Sequence, residues 1–152
     1  DPLSKLAGHY AAIVIDTRPS FSLMTEMALV AATDDLIPVE PRYLETVGLL
    51  SVLSKINDIR EGWRRPDLHV GGIIVTKMNT RVKGHNHLLD ELKAHNVLGK
   101  LLCGVIPANE AVSYAHRDHQ NVFTYDPKAP ASKAYAQVVG SLLKRMTAGG
   151  AV

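Results

Sequence analysis

The chain has 152 residues, enough to bury the core of one domain. Its 46% apolar but only 5% aromatic content describes an aliphatic core of the kind layered α/β proteins have. A formal net charge of +2 excludes a global polyanion-binding surface, so any nucleic-acid contact must come from a local patch.

The chain opens DPLSKLAGHY, without methionine, and Leu3 and Leu6 read as the last turn of a helix. Such a start predicts a fragment, a processed chain or a domain whose upstream part lies elsewhere. AAIVI at 11–15 is too short for a helix and too continuous for a strand with one wet face, which predicts a parallel strand covered on both sides. It ends at Asp16-Thr17. SFSLMTEMALVAATD then places Leu23, Met27 and Val30 at helical spacing, with Ser20 or Ser22 available as N-cap. DLIPVEP reads as a short strand closed by Pro38 and Pro41.

Residues 44 to 63 carry the strongest helical pattern, with Leu49, Val52, Leu53, Ile56, Ile59 and Trp63 on one face and Pro66 as the stop. HVGGIIVTKMN is the next strand, followed by a helix from about Val82 to His95. LLCGVI at 101–106 is another apolar strand, ending at Pro107. Cys103, the only cysteine, lies within it, so a disulfide inside the chain is excluded and a buried reduced thiol is expected. A looser stretch, ANEAVSYAHRDHQ, leads to a short strand NVFTY, and PASKAYAQVVGSLLKRM forms a final helix. One domain over 1–147 and a flexible tail at 148–152 complete the reading. The alternation predicts an α/β fold in three layers, a mostly parallel sheet flanked by helices. No run of eighteen apolar residues and no signal-peptide pattern occurs, which makes a soluble cytoplasmic protein the expectation.

Three strand ends carry polar groups: Asp16-Thr17, Thr76-Lys77-Met78-Asn79 and Pro107-Ala108-Asn109. In an open parallel sheet these share the edge where ligands bind, the geometry of a nucleotide crevice. An acid after an apolar strand fits a Walker B aspartate, which holds Mg²⁺ of a bound triphosphate. Alone it fits a helix cap equally well.

The stretch YAAIVIDTRPSFSLMTEMALVAATDDLIPVEPRYLETVGL, with GGIIVTKMNTR, GVIPANEAVSYA and YDPKAPASKAYAQV, resembles ParA/Soj-type partition ATPases over nearly the whole chain. The resemblance implies a P-loop NTPase-like fold and a Mg-ATP-dependent switch. In that switch ATP joins two subunits into a homodimer that binds DNA non-specifically, and a ParB-like protein stimulates hydrolysis. It implies catalytic roles for Asp16 and Thr17, with Asp16 near Mg²⁺, and a switch segment through Arg18, Pro19 and Ser20. It implies an adenine pocket at Thr76, Met78, Pro107 and Asn109. It further implies a nucleoid-associated protein of chromosome or plasmid partitioning, with no membrane partner. Arg81, Lys83, Lys144 and Arg145 are the candidate DNA contacts, each equally readable as a solvated helix end.

The departures bear on activity. The family's phosphate loop, KGGxGKT, belongs well upstream of the Asp16 strand, and this sequence contains no such run. Its backbone N–H groups and lysines hold the phosphates, so the chain as given is expected to bind ATP weakly and not to hydrolyse it. Removing the phosphate-loop strand from the middle of such a sheet exposes two unpaired edges. Arg18, Ala108 and Val47 replace the family's usual proline, arginine and glutamate. Outside these motifs, His85 and His87 on a helix point to different sides, and His116 and His119 read as solvated. Arg60, Arg64 and Arg65 surround Trp63 as a helix end. Two further readings are a non-catalytic ParA-like interaction module that keeps only its partner and dimer faces, and a receiver-type fold with Asp16 as phosphoacceptor. The receiver reading lacks its acidic cluster and lysine context.

Overall fold

The computed structural model describes residues 3, 5–6, 9–18, 20–42 and 46–147. The tail at 148–152, Pro19 and the start of the predicted 44–63 helix lie outside the described residues. The elements run α1 (Leu23–Ala31), β1 (Asp34–Val39), α2 (Thr46–Gly62), β2 (His69–Met78), α3 (Lys83–Ala94), α4 (Leu98–Leu101), β3 (Leu102–Pro107), α5 (Glu110–Arg117), α6 (Val122–Tyr125) and α7 (Pro130–Thr147).

The sheet has the order β1-β2-β3, and both pairings are parallel. Alternate residues of β2 feed two different layers. Ile73 and Val75 enter a core with Ile37 of β1, Leu49, Ile56 and Ile59 of α2, and Leu92 of α3. Ile74 packs on the opposite side with Ile106 of β3 and with Val138 and Leu142 of α7. The result is a three-layer α/β unit, which explains why β2 reads as an almost continuous apolar run. Gly104 lets α7 approach closely, since a Cβ there would stand 2.6 Å from Val138 Cγ2.

The predicted strand at 11–15 is not formed. Residues 12–18 have no regular structure, and Val14 is 91% exposed, with Ile13 and Ile15 also exposed. A parallel strand holds its backbone only through neighbouring ladders, and no described strand lies beside this segment. NVFTY is also not a strand. Asn121 caps it into the short helix α6, its side-chain oxygen accepting from the Thr124 N–H at 2.8 Å. The stretch before it is helical as well. Asn109 accepts from the Ala111 N–H at 3.0 Å and starts α5. These Asn caps are local side-chain to backbone bonds that outweigh the β preference of Val, Phe and Tyr.

Two helical faces differ from their apolar pattern. In α1, Leu29 is buried while Leu23 and Met27 are exposed, so the helix turns a different face to the core than the Leu23-Met27-Val30 spacing predicts. Trp63 falls just beyond α2 and is 55% exposed; its indole N–H donates to Glu26 Oε1 at 2.8 Å. No helix of the described residues is long and apolar enough to cross a membrane.

Candidate functional site

Parallel pairing brings the carboxyl ends of the three strands to one edge. Val39 of β1 lies opposite Val75, and Met78 of β2 lies opposite Pro107 of β3. Thr76 Oγ1 donates to the Val39 carbonyl at 3.2 Å, joining β1 to β2 at this edge. The Ala108 N–H donates to the Met78 carbonyl at 2.8 Å, joining β2 to β3. Thr76, Met78, Pro107 and Asn109 are therefore brought together as a group. Within it Met78 is buried in the core, Thr76, Pro107 and Asn109 are half-buried, and Lys77, Asn79 and Ala108 are exposed. The Asn109 side-chain oxygen is committed to capping α5.

Lys77 and Glu40 were not evident from motif spacing. Lys77 takes a left-handed backbone at φ 52°, a conformation costly for a non-glycine residue and concentrated at functional sites. Its ammonium pairs with Glu40, just past β1, and holds that carboxyl below the usual carboxylate range. The signal available in the sequence was only that both residues stand at strand ends. The turn after β2 is equally specific: Asn79 Oδ1 accepts from the Arg81 N–H at 3.0 Å, and His85 Nδ1 accepts from the Asn79 N–H at 3.2 Å. His85 thus orders the turn rather than facing His87, whose Nε2 lies 3.4 Å from Glu91.

Asp16, Thr17 and Arg18 lie in the exposed segment before α1, and Ser20 follows them, its carbonyl accepting from Thr25 Oγ1 at 2.7 Å. No hydrogen bond among the described side chains joins Asp16 or Thr17 to the strand ends. The described residues therefore present the adenine-side group assembled and the acid-and-switch group apart from it. Among them, no three His, Cys, Asp or Glu side chains converge as a metal-binding set.

The four basic candidates do not form one cluster in a single chain. Arg81 and Lys83 follow β2 at the strand-end edge, whereas Lys144 and Arg145 lie in the last turn of α7. Arg145 Nη1 and Nη2 donate to the Leu101 and Leu102 carbonyls at 3.3 and 2.9 Å, at the beginning of β3. Its guanidinium satisfies carbonyls at the α4–β3 junction. Near Trp63, Arg65 is likewise structural: it forks onto Asp67 and donates to the Ala32 carbonyl at 3.0 Å. Cys103 is free and half-buried, and burial pushes its thiol up, the opposite of an activated nucleophile.

Comparison with known proteins agrees with this architecture. The AAA_31 family (AAA domain) matches residues 1–70. The chromosome partitioning protein ParA of Myxococcus xanthus is 29% identical over 147 residues, which is 97% of this chain and 51% of that protein. The chain spans about half the length of the curated relatives it matches. Among solved structures, the cell division ATPase MinD of Pyrococcus furiosus superposes with a TM-score of 0.67 at 18% identity, covering 93% of this chain and 55% of that one. The septum site-determining protein MinD of Pyrococcus horikoshii, complexed with Mg-ADP, does so with a TM-score of 0.66 at 16% identity, covering 99% of this chain and 57% of that one. By sequence and by fold, the chain is a partition-ATPase-like protein of the ParA/MinD superfamily.

Proposed function

We propose that this chain forms the base-binding half of a ParA-like partition ATPase. In the assembled protein, ATP joins two subunits, the dimer binds DNA non-specifically, and a ParB-like protein stimulates hydrolysis. The observation that carries the reading is the strand-end group: Thr76, Met78, Pro107 and Asn109 share the edge of a parallel sheet where open α/β folds bind ligands. The fit to Mg-ATP is partial. Half-buried Pro107 and Asn109 with the backbone around them suit a base edge, and Asp16, an exposed carboxylate, suits Mg²⁺. The sequence holds no glycine-lysine loop to cradle phosphates. When bound, Mg-ATP supplies the transferable phosphoryl group. This chain's residues contribute base contacts at the strand ends and a carboxylate for the metal.

The open side of the sheet supports the same reading. β1 is an edge strand, and Ile13, Val14 and Ile15 stand exposed without a ladder. A phosphate-loop strand between the 11–15 segment and β1 would pair with both and cover apolar surface on each.

Calorimetric titration with Mg-ATP tests this. For the 152-residue chain alone a Kd of about 1 mM or weaker is expected, roughly −4 kcal/mol, because base contacts do not replace a phosphate cradle. A micromolar Kd for the isolated chain would refute that division of labour. In a protein that carries the phosphate loop, Asp16→Ala should lower hydrolysis far more than nucleotide binding. Unchanged turnover there would remove Asp16 from the site.

A further inference from the structure

We propose that the cleft between α1 and the last turns of α2 is a docking groove for a basic segment of a partner protein. The groove encloses about 440 Å³. Phe21 and Trp63 wall it as two half-exposed aromatic rings, and Ile59, buried, lies between. The chain contains only two phenylalanines and one tryptophan, so their meeting here is not a consequence of abundance. Trp63 is fixed in place by the 2.8 Å bond from its indole N–H to Glu26 Oε1, across 37 positions of sequence. A large ring held rigid at the surface loses little entropy when a partner covers it, the property of an interface anchor.

Charge selects the partner. The titratable groups lining the groove are Glu26, Asp58 and Lys55, a balance of −1 in a chain whose net charge is +2. Among the described residues, neither Asp58 nor Lys55 is in a salt bridge. Two carboxylates beside an indole face suit a guanidinium or ammonium, through ion pairing and cation–π attraction together. The apolar walls ask for aliphatic side chains next to that cation, so a peptide with Arg or Lys beside Leu fits better than a free cation. Lys55 is the one lining group that opposes such a ligand. The Trp63 end lies where the strands begin, since Arg65 holds the Ala32 carbonyl just ahead of β1. Occupancy of the groove therefore does not depend on nucleotide at the opposite edge.

The single tryptophan makes the test direct. The 152-residue chain is titrated with a synthetic fourteen-residue peptide of Lys, Arg and Leu while Trp63 emission is followed. The expected result is a saturable blue shift whose midpoint rises with salt. Glu26→Gln keeps an acceptor for the indole and removes the charge; combined with Asp58→Asn it should weaken binding about tenfold. Lys55→Met, on the exposed face of α2, should instead tighten binding about threefold, a direction that unfolding cannot mimic. Far-UV circular dichroism checks that the variants keep their helices. A peptide with Glu in place of every Lys and Arg should leave the emission unchanged. The proposal is overturned if the basic peptide leaves Trp63 emission unaltered, if Glu26→Gln/Asp58→Asn binds as well as the parent, or if free arginine competes at the peptide's own concentration.

Discussion

Gly72→Ala tests how tightly β2 and β3 are joined, and with them the two strand ends that define the crevice. A Cβ at Gly72 would stand 2.0 Å from Cys103 Sγ and 3.1 Å from the Leu101 carbonyl oxygen. Carbon contacts are ordinarily about 3.5–4.0 Å, so either the strands part or Cys103 rotates off the Gly71 carbonyl, to which its thiol donates at 3.4 Å. Overpacking of this kind costs about 1–3 kcal/mol. The Gly72 φ of 158°, rarely adopted by residues with a side chain, adds about 1–3 kcal/mol of backbone strain. The sum is roughly 2–6 kcal/mol, a large part of the 5–15 kcal/mol that typically holds a domain folded. Cys103→Ala removes the sulfur but not the backbone strain. The double variant should therefore recover about 1–3 kcal/mol relative to additivity. Urea unfolding followed by circular dichroism measures this, with the midpoint shifting and the slope unchanged. A Gly72→Ala variant within about 0.5 kcal/mol of the parent, or a double variant with no recovery, would refute the packing argument.

Three further outcomes are expected. Arg145→Met should destabilise by about 1.5–3 kcal/mol, because it leaves the Leu101 and Leu102 carbonyls without their charged donor; thermal unfolding reads it. The Arg65 guanidinium holds Asp67 at about 2, below its ordinary 3.8, so this pair stabilises the fold above about pH 4 and loses that contribution as pH falls toward 2. Arg65→Met should flatten that acid limb in a pH series of melts, while an unchanged limb would count against the pair. Burial pushes the Asp35 carboxyl up, so its contribution is present below the unfolded value and is lost as pH rises. Asp35→Asn should then raise Tm at pH 7 and leave it nearly unchanged at pH 3.

How much of this was legible in the sequence depended on whether the deciding interaction was local. β2 and β3 could be read because Ile73, Ile74 and Val75, and Val105 and Ile106, are apolar runs whose ladders are all present in this chain. The α2 face could be read because Leu49, Ile56 and Ile59 repeat at helical spacing. The 11–15 segment carries the same apolar signal, yet a signal for burial is not a partner, and Val14 stays exposed without one. At 121–125 the intrinsic β preference pointed one way and a single Asn121 cap pointed the other; a four-residue segment is short enough for the cap to decide. Of the candidate site, Thr76, Pro107 and Asn109 could be placed by strand ends alone. The Glu40–Lys77 pair required register, since residues 37 apart meet only when β1 and β2 are aligned.

The structure also sharpens what a DNA-binding surface must look like. Leu102 is one residue from Ile73 in the β3–β2 register, and Met78 lies five residues further along β2, so the Arg145 end and the Arg81 end of the unit are separated by about 17 Å along the strands. One chain thus offers two small basic sites rather than one patch, and at one of them Arg145 is already bonded to backbone carbonyls. We propose that Arg81 and Lys83 are the DNA contacts and that two copies are needed for useful affinity. With about two phosphates neutralised per subunit, the slope of log affinity against log salt should be near −2 for one chain and near −4 for a nucleotide-joined dimer, at about −0.9 per contact. Filter binding or fluorescence anisotropy on duplexes of unrelated sequence, in a protein that carries the phosphate loop, measures both slopes. Arg81→Glu with Lys83→Glu should flatten the dimer slope and leave hydrolysis without partner intact, since neither residue belongs to the strand-end group. Lys144→Glu serves as the comparison at the far edge, free of the stability loss expected at Arg145. If the slope responds to Lys144→Glu and not to Arg81→Glu with Lys83→Glu, the DNA lies along the α7 end instead. If binding is independent of nucleotide, joining two copies is not what creates the surface.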